Sequence, residues 1–440
     1  MRPRILIASL SCGLVAALLS AGAGRAAAPP CGTYSGRGCA PDSQRVDLTA
    51  PSFSTSTRID NPLFPIASLH SVVFLGREEG HPFRSETTLL PGTGAVTLDG
   101  RRIPVLISQY MAWRDGRLEE VARDRYAQAD DGSVWYLGED VIDYSRGHAV
   151  TTEGTWLAGR EGPPAMIMPA HPRVGDVFRT ENVPGIVFEQ VTAKATGRTV
   201  RSAHGPVTGA MIGEELHLDG TTERKTFAPG YGEFLTGAGR NVEALAVAVP
   251  SDALPGPAPA ALQRLAIGAA GMVSSVEADD WRSARATLRR ARAAWRALRR
   301  RGQPRLIAAA LDRELRRLAA AVRHRRALRA LNSALDIQQS ALDLELRYAP
   351  RGAVDRDRLE LWCQRLRIDA RAHDTAAVSG DAATLAWIRD RIVAAVPPAD
   401  LPRLDAELGR VQGAADNRRT AAAADHAARL IGLLREIPRM

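Results

Sequence analysis

Near Pro250 the sequence changes character, and this break constrains the fold more than any single motif. Upstream, the chain is rich in Gly, Thr, Val and aromatic residues; downstream it runs in long Ala, Arg and Leu stretches with few glycines. The upstream part alternates apolar and polar positions in short segments, among them "SVVFLG", "RRIPVLISQYMAW", "RDRYAQA", "SVWYLGE", "IVFEQVTAKATG", "GAMIGEELHL" and "EALAVAVP". A period of two broken by turns places successive side chains on opposite faces of a strand. Roughly ten such strands with no helical periodicity between them predict an antiparallel sheet, either a sandwich or an open barrel.

Beyond the break, Trp281, Ala284, Leu288, Ala291, Trp295 and Leu298 step by three and four and draw one apolar stripe, with arginines opposite. "LDREL" at Leu311 to Leu315 recurs as "LDAEL" at Leu404 to Leu408, with "RHRR" and "DNRR" following at the same offset and Pro304 matching Pro397. This repetition predicts a duplicated helical pair. Breaks at "RRRGQP", "RYAPRG" and "VPP" give four antiparallel helices in an up-and-down bundle. Weaker interruptions at "EADDW" and "VSGDA", with Asp280 and Asp381 as N-caps, would divide them into shorter hairpins. The predicted class is therefore α+β in two domains. An antiparallel β-rich domain spans residues 46–250, a semi-extended proline-rich linker 251–260, and an all-α bundle 261–440.

The first 31 residues, "MRPRILIASLSCGLVAALLSAGAGRAAAPPC", combine basic residues, an apolar run and small residues before prolines. This pattern predicts a secretory signal over residues 1–28, cleaved after Ala28, and so a secreted or cell-envelope exterior location. The apolar run falls short of the roughly 20 residues that cross a bilayer. In an oxidising compartment Cys31 and Cys39, separated by a glycine-rich loop, are expected to pair and close the segment 29–45. Cys363 reads as a small buried hydrophobe on a helix.

Residues 261–440 hold 34 arginines, no lysine and 21 acidic residues, a net of +13 against +9 for the whole chain. Such a preference for arginine points to a GC-rich bacterial genome. The basic half offers contact with anionic surfaces such as wall polymers, lipids or nucleic acid, and no motif for specific nucleic-acid binding accompanies it.

Chemistry is harder to place. In "YAQADDGSVWYLGEDVIDY", Tyr126 to Tyr144, the Asp131-Gly132 pair predicts a tight turn. Asp130, Asp131, Glu139, Asp140 and Asp143 lack the ligand order of a calcium loop and read as turn and edge residues left to water. Met166, Met168 and His171 in "MIMPAHP" are soft ligands of the kind copper(I) takes. His324, His373 and His426 fall at similar heights if the four helices are uninterrupted, as a bundle metal site would require. Hydrolase elbows, phosphate loops and zinc motifs are absent from the sequence. No catalytic, cofactor-binding or metal residue is assigned on these grounds, and Cys31 and Cys39 are the only paired site. The expected function is a non-catalytic binding or interaction protein for a small ligand or protein partner. The alternatives are an envelope-directed hydrolase with unmarked carboxylates and a metal-binding carrier.

"RIDNPLFPI", "DRYAQADDGSVWYLGED", "TEGTWLAG", "MIMPAHPRVGDVFR" and "FAPGYGEFL" occur in an order that resembles a family of exported bacterial proteins of unknown function. The likeness covers nearly all of residues 55–237. It implies a secreted β-rich module, here fused to a helical domain, and carries over no catalytic residue. The chain departs from the family pattern at His171, where Asn is usual, and at Leu137, where Phe is usual.

Overall fold

The computed structural model describes residues 38–183 and 185–438. The signal segment and Cys31 lie outside the described residues, and the Cys31–Cys39 pairing with them. Cys39 itself lies against Phe188 and Leu216, with an Arg179 nitrogen 3.5 Å from its sulfur.

Alternating positions in the first half form the strands β1 (Ser71–Glu78), β2 (His81–Leu89), β3 (Gly94–Leu98), β4 (Arg101–Arg114), β5 (Arg117–Gln128), β6 (Val134–Ser145), β7 (His148–Thr151), β8 (Trp156–Leu157), β9 (Ala165–Met168), β10 (Val177–Val183), β11 (Val187–Ser202), β12 (Gly205–His217), β13 (Thr222–Ala228), β14 (Gly232–Ala238) and β15 (Asn241–Val249). They make one antiparallel sheet in the order β10-β11-β12-β13-β14-β15-β1-β2-β4-β5-β6-β7, with β3 on β4 and both β8 and β9 on β6. Hairpins between sequence neighbours account for most pairings; the pairing of β1 with β15, from Ser71–Val249 to Arg77–Val242, joins the two runs of hairpins. The sheet curls on itself, because side chains from β1, β2, β4 to β6 and β9 to β15 line one common cavity. The result is an open barrel.

The second half forms α1 (Ala260–Glu277), α2 (Trp281–Arg299), α3 (Arg305–Arg323), α4 (Ala327–Glu345), α5 (Arg351–Arg371), α6 (Thr375–Ile392), α7 (Leu401–Asp416) and α8 (Thr420–Glu436). These are two four-helix units, in each of which the first helix packs on the second and fourth and the third packs on the fourth. Of the two arrangements open from the sequence, the shorter helical hairpins are the one formed, with eight helices among the described residues. Asp280 caps α2 as expected, accepting from the Ser283 N–H at 2.9 Å. Asp381 does not cap; it lies buried inside α6, and Asp374 takes that place, accepting from the Ala377 N–H at 2.9 Å. The turns that the sequence did not mark, after α3, α5 and α7, carry neither Gly nor Pro at the turn itself. Asp279, Arg325, His373 and Arg418 adopt left-handed φ values of 52°, 50°, 56° and 55°, at equivalent places in the two units. Non-glycine residues rarely take this conformation, so a reading of Gly and Pro alone passes over such turns.

The barrel's outer face on β2 and β4 docks against α4, α5 and α6 through buried ions. Arg84, Arg358 and Arg391 face Glu86, Asp343 and Asp355: Arg84 meets Asp343 at 2.7 Å, and Arg358 meets Asp343 at 2.9 Å and Asp355 at 3.0 Å. Three cations balance three anions. Burial alone would raise the Glu86 carboxyl, but Arg358, Arg84 and Arg391 together hold it far below the usual range. Trp113 stacks on Trp362 at 5.8 Å beside this cluster. Cys363 is fully buried, and burial pushes its thiol far up, as suits a packing role. The proline-rich segment is pinned: buried Asp252 accepts from the Ala248 N–H at 2.9 Å and the Tyr231 hydroxyl at 3.1 Å, while its carbonyl accepts from Arg347 at 2.9 Å.

Candidate functional site: the acid-lined barrel interior

The cavity inside the barrel has a volume of about 190 Å³. Strand alternation that should bring apolar residues inward instead brings acids. Asp124, Glu139, Glu181, Glu189, Glu215, Glu233 and Glu243 line the space, and Lys225 is the basic residue among the described lining. Several acids are direct cross-strand neighbours: Asp124 opposite Glu139, Glu181 opposite Glu189, and Glu215 opposite Glu223. Like charges in such positions destabilise a sheet, so this belt opposes stability and calls for compensation.

Part of the compensation is protonation. Gly138, at φ 126°, forms a bulge between Tyr136 and Glu139, which puts both side chains on the inner face although they are three residues apart. A Cβ at Gly138 would lie 2.4 Å from the Trp156 carbonyl oxygen, so the close approach of β8 also requires glycine. The Tyr136 hydroxyl lies 2.8 Å from Asp124 Oδ1 and 3.0 Å from Glu139 Oε2. A phenol has one hydrogen to donate. One of the two carboxyls must therefore be protonated and donate to the phenol oxygen. Asp124 also accepts from the Ser108 hydroxyl at 3.0 Å. Burial pushes Asp124 up to about 6 against those two hydrogen bonds, whereas Glu139 is driven well above the carboxylate range by burial and the charge of Asp124. The proton thus resides on Glu139. Glu181, raised by burial and by Glu139, shares a hydrogen bond with it and receives the Trp156 indole N–H at 3.3 Å.

Elsewhere on the belt the compensation is ionic. The Lys225 ammonium lies 3.0 Å from Glu215 and 3.3 Å from Glu223, with Glu233 at 3.8 Å. Burial disfavours its charge, but these carboxylates outweigh that effect and raise it well above its ordinary value. His217 follows the same logic: burial lowers it, yet the contact with Glu189 at 3.2 Å and the surrounding acids lift it to about 9. Glu233 is pushed up to about 7 by burial, opposed by Lys225. Glu189, Glu215 and His217 bring one ligand atom each within 4.8 Å of one another, a spacing suited to a divalent cation. A metal there would have to displace a lysine ammonium and a proton from an imidazolium, so the donor set is already neutralised from within the protein.

Glu243 is different. Its Oε2 accepts from the Ser85 hydroxyl at 3.0 Å, and its Oε1 is buried without a hydrogen-bond partner among the described residues. Burial drives this carboxyl well above the usual range.

The other end of the cavity is apolar and aromatic. Phe64, Phe74, Phe227 and Tyr231 line it; Tyr126 stacks on Tyr136 at 4.9 Å and receives the edge of Phe64 at 4.9 Å. The "NPLFPI" stretch covers this end and is fixed by Asn61. Its side-chain amide donates to the Gly132 carbonyl at 3.1 Å and the Pro169 carbonyl at 3.0 Å, tying together the "DDGS" turn and the "MIMPAHP" segment. Gly230 of "FAPGYGEFL" donates to the Pro62 carbonyl at 2.8 Å. The "NPLFPI", "DDGS", "MIMPAHP" and "FAPGYGEFL" stretches therefore meet around one end of one cavity.

In comparison with protein-family models and with curated proteins, nothing matches this chain.

The residues singled out in the sequence are dispersed. Asp130 is exposed and anchors the N-terminal segment, accepting from Ser52 Oγ at 2.7 Å and the Ser54 N–H at 2.8 Å; Asp131 accepts from the Ser133 N–H at 2.8 Å. Asp140 faces out to Arg125. Glu139, expected in water, is a correction: the Gly138 bulge reverses the alternation and turns it inward. Asp143 is half-buried beside Glu120. Met166 and Met168 pack in the barrel core while His171 is exposed, so the three do not converge. Nor do the helical histidines: His324 and His373 sit exposed in turns after α3 and α5, and His426 on α8 contacts Glu407 at 2.7 Å. Sequence reading passed over His217, Lys225 and the glutamates of β10 to β15. A signal was present, since Glu215 and His217 share the strand parity of Met211, and Lys225 is one of two lysines in an arginine-biased chain.

Proposed function

We propose that this is an exported, non-catalytic binding protein whose barrel takes a small organic cation. The observation that carries the reading is the excess of seven lining carboxyls over one lysine in an aromatic-walled cavity, with Glu243 Oε1 unpartnered. A cation would meet aromatic faces and carboxyls that ionise to pair with it, the two groups that stabilise organic ammonium ions away from water. A cavity of about 150 Å³ holds benzene, so about 190 Å³ suits one ring bearing a short charged arm. Export is supported by the signal-type N-terminus; no helix among the described residues is long and apolar enough to cross a membrane. Membership of the exported family that the motifs resemble is part of the same proposal.

The hydrogen bond between Glu139 and Glu181 favours the hydrolase alternative. Carboxyls in hydrogen-bond contact, however, are closer than the roughly 5 Å or more that glycoside hydrolysis uses, and binding is the better reading. Calorimetry with benzylammonium tests it. Binding is expected to tighten from pH 6 to pH 8 with release of protons, because neutral carboxyls must ionise to meet the cation. Benzyl alcohol should bind at least tenfold more weakly, and Glu243→Gln should weaken benzylammonium by about tenfold. Equal binding of the alcohol, or no effect of Glu243→Gln, overturns the proposal.

A further inference from the structure

α2 carries no acidic residue, and its arginines are arranged in a line. Arg285, Arg289, Arg292 and Arg296 are all exposed and step by four, three and four, so they share one side of the helix over an arc of about 60° at 100° per residue. At about 1.5 Å rise per residue, successive guanidinium positions lie roughly 5 Å apart along the axis. Among the described residues none of these four forms an ion pair; Arg299, at the end of the seam, meets Asp312 at 3.1 Å. Arginines of the second unit are bound up differently: Arg389 pairs with Asp405 at 2.7 Å, Arg403 with Glu436 at 3.0 Å and Arg429 with Glu407 at 3.0 Å.

The duplication gives this face a meaning. Aligned on their caps, Asp280 and Asp374, α2 and α6 are counterparts. Arg282 then matches Ala376, whose carbonyl lies so close to Gly147 that a Cβ there would come within 1.9 Å of it. Arg296 matches Asp390, which pairs with Arg123 of β5. The side of α6 that docks on the barrel corresponds to the side of α2 that is uncovered and cationic. Where one copy of the unit uses this side as an interface, the other leaves it exposed.

We propose that the α2 arginine seam docks a linear phosphodiester polymer lacking bases, of the poly(glycerol phosphate) type. A straight row one helix wide fits a chain rather than a flat membrane. Trp281 and Trp295, the aromatic residues of α2, are buried, so the seam offers no surface on which nucleic-acid bases would stack. Charge complementarity is the binding force, and it makes the interaction steeply salt-dependent.

Poly(glycerol phosphate) titrated against the full chain tests this. With four phosphates neutralised, log K should fall against log salt with a slope of about −3, which is about 60-fold between 50 and 200 mM salt. The exposed quadruple variant Arg285→Gln, Arg289→Gln, Arg292→Gln, Arg296→Gln should lose at least tenfold in affinity and most of the slope, with an unchanged circular dichroism spectrum. The control Arg403→Gln, Arg410→Gln removes two arginines of the second unit and should bind as the parent does. The proposal is overturned if the quadruple variant binds unchanged, if the control loses as much, or if phosphatidylglycerol vesicles or single-stranded DNA bind and the polymer does not.

Discussion

Replacing Lys225 by Met tests the electrostatic account of the barrel directly. Its ammonium lies within 3.8 Å of Glu215, Glu223 and Glu233, and its side chain is 12% exposed. Removing one member of a buried ion pair costs about 3–5 kcal/mol, because the partner charge stays buried without compensation. For a domain of this size about 1 kcal/mol moves the melting midpoint by roughly 2–4 °C, so the barrel transition should fall by about 6–20 °C at pH 7.5. The loss should shrink at pH 5. Glu233, at about 7 with Lys225 present, rises further without it and is neutral there, leaving fewer unpaired anions. Adding Glu215→Gln to the variant should restore part of the stability, since it removes one of the charges that Lys225 neutralises. Scanning calorimetry of the four proteins at both pH values measures the cycle. A loss below about 1 kcal/mol at pH 7.5, or one that grows on acidification, would refute the reasoning.

Two further outcomes follow from the same residues. Asp124 and Glu233 are raised to about 6 and 7, so the folded barrel holds more protons than the unfolded chain between roughly pH 4 and 7, and stability should fall as pH rises through that window. His217, raised to about 9, adds stability that is complete below pH 6.5 and lost as pH climbs through its folded value. The melting midpoint should therefore be higher at pH 5 than at pH 7.5, and the opposite order would contradict the assignment. Gly138→Ala places a Cβ 2.4 Å from the Trp156 carbonyl oxygen at a φ of 126°. It should destabilise by about 2–4 kcal/mol in denaturant titration, and a change within about 0.5 kcal/mol would show that the bulge does not depend on glycine.

Much of the architecture was legible. Alternation upstream of Pro250 and the three-four stripe from Trp281 to Leu298 correspond to the sheet and to the buried side of α2. The break at Asp279–Asp280 was legible too, but the turns at Arg325, His373 and Arg418 were not, because non-glycine residues hold the left-handed conformation there without a Gly or Pro to mark it. Such turns are enforced by the packing of the helices on either side, which no local pattern encodes.

Local periodicity and composition are properties of neighbours along the chain, and so the sequence alone determined the two-part α+β plan, the helical duplication and the arginine-only face of α2. Tertiary structure decided the interior. Glu139, Glu181, Glu215 and Glu243 come from strands far apart in sequence, and only the curl of the sheet brings them around one cavity. Their protonation depends on that encounter, because burial and the proximity of other carboxyls act through space.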